Sequence, residues 1–157
     1  MYLSLNLLIV GRSRQVLDGV MQAMAGRQGL ELIPFVLTPG QLLLPEYMRP
    51  LPDSLIFVVD EEWRQGVWKT IDQLPKPHPP LFIVTQVNDM EVLRLAMRYG
   101  VRDVFPMPLL VEDSLATISK VVHEERVHRG EAGSRLISFM NTKGGSGSSL
   151  IAANVAL

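Results

Sequence analysis

Cysteine is absent from the sequence, which removes disulfides, thiolate metal sites and cysteine nucleophiles together. The same absence leads us to expect a reducing, cytoplasmic setting. An excess charge of one sign is also missing. Fifteen basic residues face 16 acidic ones, so neither nucleic acid nor an anionic membrane surface is implied as a partner. No apolar run approaches the roughly 20 residues that cross a bilayer, and no direct membrane insertion is expected. The opening LSLNLLIV has no basic segment before it and does not read as a secretory signal. Aromatics are only 6% of residues, and Trp63 and Trp68 are expected in the core or at an interface, with no cofactor pocket beside them. What is plentiful is hydrophobic residues, 47% of 157 positions, enough for one well-cored domain with a segment left over.

Short apolar runs alternate with segments of helical period, the pattern of a parallel sheet covered on both faces. Strands are predicted at Leu5 to Val10, Leu30 to Val36, Ser54 to Val59, Leu81 to Thr85, and from Val101 to Phe105 into Pro106-Met107-Pro108. Ser13 is expected to cap a helix whose stripe is Val16, Leu17, Val20, Met21 and Met24. The segment TPGQLLLPEYMRPLP carries four prolines, so a short, broken or displaced helix is expected there. Trp63, Val67, Trp68, Ile71 and Leu74 predict a single helical face. Asn88 and Glu91 resemble a capping box for a helix carrying Leu93, Ala96 and Met97 toward the core. Gly100 ends it. A last helix, about Glu112 to His128, is expected to bury Leu115, Ile118 and Val122.

Five strands alternating with five helical slots give a doubly wound, five-stranded parallel sheet of flavodoxin-like order. Ligands and chemistry in such sheets sit at the carboxyl ends of the strands, which directs attention to Gly11, Asp60, Thr85 and Met107.

Residues 1–128 resemble the receiver domain of two-component response regulators. Asp60, closing SLIFVVD, stands where that family carries its phosphoacceptor aspartate. Thr85 in FIVTQ stands at the family's hydroxyl position, and YGVRDVFPMPL aligns Gly100, Asp103 and Pro108 with its last conserved stretch. Two places depart. Receivers hold Mg²⁺ with an acidic pair after the first strand, and here that place reads Gly11-Arg12. Receivers also place a lysine before the cis-proline to neutralise the phosphoryl group, and here Met107 stands with no charge and no donor. The resemblance therefore implies a pseudo-receiver with no bound cofactor and no receiver metal. The plain reading of Asp60 is a strand-end residue that caps the next helix or pairs with Arg12, and that of Thr85 is a polar strand terminus.

Beyond a polar HRGEAGS linker, taken as 129–134, the segment 135–157 reads as a new strand at Leu136 to Met140, the loop Lys143–Ser149 and a helix. The amides of Gly144, Gly145 and Gly147 and the following helix N-terminus would make an anion cradle. KGGSGSS resembles the deviant phosphate loop of the ParA/MinD ATPases. That resemblance makes Lys143 the lysine that reaches a partner subunit's nucleotide and Ser149 the magnesium-binding hydroxyl. Ser148 replaces the second lysine, whose charge would lie on the β- and γ-phosphates. ATP and Mg²⁺ are thus expected only in a longer protein, the 157-residue chain itself being catalytically silent. A flexible Gly/Ser linker is the alternative.

HEERVH at His123 to His128 places its histidines about 140° apart on a helix, which excludes a zincin arrangement. Arg94, Arg98 and Arg102 form a basic strip, either a solvated face or a docking or dimer surface using Arg98 and Tyr99. A degenerate receiver followed by a ParA/MinD-like segment resembles the TadZ/CpaE family of pilus-assembly proteins. The resemblance implies a cytoplasmic homodimer that localises or scaffolds tight-adherence (Flp-type) pilus assembly, contacts the secretion machinery, and is recruited to a cell pole or to the inner-membrane pilus machinery. Two alternatives stay open: a phosphorylation-responsive regulator using Asp60, and a slow, dimer-gated ATPase.

Overall fold

The computed structural model describes residues 4–41, 51–87 and 89–128. Its strands are β1 (Leu5–Gly11), β2 (Leu30–Val36), β3 (Ser54–Val59), β4 (Leu81–Thr85) and β5 (Asp103–Pro106). Its helices are α1 (Arg14–Met24), α2 (Gly66–Asp72), α3 (Met90–Arg98) and α4 (Val111–His128), with a 3₁₀ turn at Glu61–Trp63. The chain divides into two compact units, Met1–Val122 and His123–Leu157, and the sheet lies wholly in the first. The prolines 45 and 50, the predicted linker and the segment 135–157 lie outside the described residues.

All five strands run parallel in the order β2-β1-β3-β4-β5. That is the doubly wound order expected from the alternation of apolar runs. Both faces of the sheet are covered, which is why the central strands β1, β3 and β4 carry continuous apolar runs rather than alternating ones. Leu8, Val10, Leu55, Phe57, Leu81 and Ile83 point to the side packed by α2 and α3. Their neighbours Leu7, Ile9, Ile56, Val58, Phe82 and Val84 point to the side packed by α1 and, up to Val122, α4. The outer strands are weaker. Pro34 sits within β2, and β5 has only four residues and ends on Pro106. Both belong to the sheet's edges, where proline is tolerated because its missing N–H faces no neighbouring strand.

Local signals set the helix boundaries. Ser13 caps α1, its Oγ accepting from the Val16 N–H at 3.4 Å. Gly100 follows α3 with φ of 80°, a left-handed conformation that glycine adopts without steric cost.

Three expectations are corrected. The face running from Trp63 to Leu74 is not one helix. Its residues are all buried, but the chain turns through the 3₁₀ segment and restarts at Gly66. A side chain at Gly66 would meet the Trp63 ring at 3.2 Å, so the indole occupies the space a continuous helix would need for its own side chains. The cap of α3 is Asp89, whose carboxylate accepts from the Val92 N–H at 3.0 Å, and Asn88 lies outside the described residues. The helix consequently buries Val92 and Ala96, while Met90, Leu93 and Met97 stand 78%, 41% and 81% exposed. In α4 the fully buried residues are Ser114, Ile118 and Val122, with Leu115 only partly covered.

Candidate functional site at the carboxyl edge of the sheet

Strand register brings the four sequence-predicted positions to one edge. Gly11 pairs with Val58, two residues before Asp60. Val59 pairs with Thr85, and Thr85 with Pro106, the residue before Met107. The ladder continues just past the strand ends through Leu37 N–H to Gly11 C=O at 2.8 Å, Gln86 N–H to Val59 C=O at 3.1 Å, and Met107 N–H to Thr85 C=O at 3.0 Å. The peptide bond Met107-Pro108 is cis.

What these side chains do is local. The Asp60 carboxylate accepts the Trp63 N–H at 3.0 Å and so caps the 3₁₀ turn. It forms no ion pair with Arg12, which carries none among the described residues. Thr85 is buried, and its hydroxyl both accepts from the Val87 N–H and donates to the Val87 carbonyl. Met107 is half-buried against the α1/α4 side of the sheet.

The fold family implies Mg²⁺ beside the third strand, and the residues here do not fit it. A hard divalent cation needs several oxygen ligands. The edge offers the Asp60 carboxylate, already accepting a backbone N–H, while Arg12 stands where an acidic ligand is needed. No cluster of three or more His, Cys, Asp or Glu that could hold a metal occurs among the described residues.

Two clefts flank this edge. The first, about 390 Å³, is lined by Arg12, by Leu37, Thr38, Gly40 and Gln41 after β2, and by Trp63, Gly66, Lys69, Thr70 and Gln73. The second, about 500 Å³, lies between α2 and α3, and Trp68, Tyr99, Arg64 and Glu91 contribute to it. In it Trp68 and Tyr99 stack with ring centroids 5.5 Å apart. The buried Trp68 Nε1–H has no hydrogen-bond partner among the described residues.

Arg64 ties the 3₁₀ turn to the start of α3. It pairs with Glu61 at 2.9 Å, with Asp89, and with Glu91 at 3.7 Å. Its guanidinium pKa is raised, first by the Glu61 hydrogen bond and then by the charges of Asp89 and Glu61, against partial desolvation. The Asp89 carboxyl is held below its ordinary value chiefly by the Val92 N–H, with the Arg64 charge acting in the same direction and desolvation opposing both.

Sequence reasoning picked out Arg12 but missed Lys69, Gln41 and Arg64. The signal for Arg64 was present as E-E-W-R, which sets Glu61 and Arg64 three residues apart. Lys69 had none, because only the packing of α2 brings it beside the loops that follow β1 and β2.

An interior β1, a reversal of strand order beside it, and an aspartate just past the end of the central β3 decide the architecture. The described residues fold as a receiver domain. No protein-family model matches the sequence, and no curated protein does. The fold is similar to that of a response regulator receiver protein from Pseudoalteromonas atlantica, at 12% identity over 76% of this chain and 98% of that one, with a TM-score of 0.58. A CheY-like protein, tadZ, from Pseudomonas aeruginosa matches at 16% identity over 78% and 94% of the two chains, with a TM-score of 0.56. The pilus assembly protein CpaE from Caulobacter crescentus matches at 15% over 75% and 93%, with a TM-score of 0.53. Receiver domains and pilus assembly proteins thus stand side by side among its structural neighbours.

Proposed function

We propose that this receiver domain is a non-catalytic docking and localisation module for tight-adherence pilus assembly. The observation that carries the reading is the state of Asp60: its carboxylate caps Trp63, and Gly11-Arg12 replaces the acidic pair. Aspartyl phosphorylation requires an acid-held metal to neutralise the phosphoryl oxygens and a lysine beside the acceptor to receive them, and with Gly11-Arg12 and Met107 in those places Asp60 has neither. The presence of pilus assembly proteins among the structural neighbours supports that setting. No described helix is long and apolar enough to cross a membrane, in keeping with recruitment to membrane machinery through protein contacts.

In this reading the domain serves a homodimer. The receiver makes the contacts with the secretion machinery at the cell pole, and the Lys143–Ser149 loop belongs to a following nucleotide-binding domain that takes ATP and Mg²⁺ in a longer protein.

Two measurements test the proposal. Adding beryllofluoride with Mg²⁺ should leave the amide signals of Asp60, Trp63 and Thr85 in place. In the source cell, Asp60→Ala should preserve pilus assembly and polar recruitment. A saturable Mg²⁺-dependent shift at Asp60, or loss of pili in the folded variant, would overturn it.

A further inference from the structure

Replacing the acidic pair does more than remove a metal site. It changes the sign of what the edge attracts. The cleft of about 390 Å³ takes Arg12 from the end of β1 and Lys69 from α2, and neither cation has an ion-pair or hydrogen-bond partner among the described residues. Gln41 adds to them. Its Oε1 accepts from both the Thr38 N–H at 3.0 Å and the Thr38 hydroxyl at 3.1 Å. The amide is thereby oriented, leaving its NH₂ with two donors to give. No carboxylate is among the described lining residues. A guanidinium, an ammonium and an oriented amide therefore share one cleft, all donors and none with an acceptor among the described residues.

Position and size agree with that chemistry. The cleft opens outside the carboxyl ends of β1 and β2, next to the point where strand order reverses, which is the ligand-binding crevice of open α/β sheets. Its volume falls within the ~300–1,000 Å³ of small-molecule sites.

We propose that this cleft binds a small molecule carrying a phosphate group, with Arg12 and Lys69 on the phosphate oxygens and Gln41 on a third. A tetrahedral oxyanion offers acceptor oxygens pointing in different directions to donors arriving from three segments, whereas the two oxygens of a carboxylate lie in one plane. The site is separate from Asp60, whose carboxylate faces the Trp63 N–H, so occupancy needs no phosphorylation of the protein. It also stands independently of the pilus reading.

The test is an amide NMR titration of the full chain at constant ionic strength, using inorganic phosphate, ribose 5-phosphate and chloride as separate probes. Saturable shifts at Thr38, Gly40, Gln41 and Lys69 are expected with the first two and not with chloride. Tighter binding of ribose 5-phosphate identifies an organic phosphate as the ligand, and equal binding identifies free phosphate. Lys69→Gln, at an exposed position, and Arg12→Gln should each weaken binding by about tenfold or more, the scale of a hydrogen bond to a charged group. Shifts reproduced by chloride, absent with both phosphates, or unchanged in folded Lys69→Gln would overturn the proposal.

Discussion

The Thr85 hydroxyl is closed onto Val87, accepting its N–H at 2.8 Å and donating to its carbonyl at 3.0 Å. This reciprocal pair shapes the exit from β4 and leaves the hydroxyl hydrogen with an acceptor two residues away. Thr85→Val keeps the shape and strands two buried polar groups of Val87. Urea unfolding should show a loss of about 1–3 kcal/mol, the cost of unsatisfied buried groups. Thr85→Ser should lose less.

Asp60 makes a parallel case. If its carboxylate is a cap, Asp60→Asn retains an acceptor for the Trp63 N–H and should change stability little. Asp60→Ala removes it and should cost about 1 kcal/mol. A chemical denaturation series over the three proteins checks this ordering.

The missing chemistry can be put back. A Cβ at Gly11 would sit 3.6 Å from the Leu17 and Val58 side chains, an ordinary contact, so a side chain can be attached there without a backbone clash. The triple variant Gly11→Asp, Arg12→Asp, Met107→Lys should acquire Mg²⁺-dependent beryllofluoride binding at Asp60, read from its amide shift. Restoring the acids alone should give metal binding with a weaker response to the phosphoryl mimic.

Acid should act on α3 through Asp89. Its carboxyl lies below the ordinary range in the folded protein, so between the two values the unfolded chain binds more protons, and stability rises with pH there. The contribution is complete above the usual carboxylate pKa of about 3.9 and disappears as pH falls through the lower folded value. Asp89→Asn keeps an N-cap acceptor and should flatten this part of the pH–stability curve. Comparing the two proteins by thermal unfolding across the acid range isolates the effect.

Most of the fold could be read from residue patterns because each central strand is a bounded apolar run and both faces of the sheet are covered. The face of α3 could not. Val92 and Ala96 compete with Leu93 and Met97 at the same helical spacing, and periodicity alone does not choose between two adjacent apolar stripes. The choice follows from the Asp89 cap and from what the sheet presents. Gly66 was the available signal for the break before α2, but the indole filling its space belongs to three-dimensional packing. At the site, the chemical losses at Gly11, Arg12 and Met107 were plain as residue types. The convergence of Arg12, Gln41 and Lys69 was not, since they come from three separate segments.

The last prediction concerns Gly100. Nothing lies within 4 Å of where its Cβ would be, so Gly100→Ala tests backbone strain alone. A loss of about 1 kcal/mol is expected from the left-handed conformation, again by denaturant titration.

Pro34 in β2 and Pro106 at the end of β5 leave neither rim with an unbroken row of amide donors. A second molecule has no clean template on which to extend the ladder. Any partner, a second copy or another protein, would have to meet the helical flanks instead, where side chains rather than shared backbone hydrogen bonds decide what can stay.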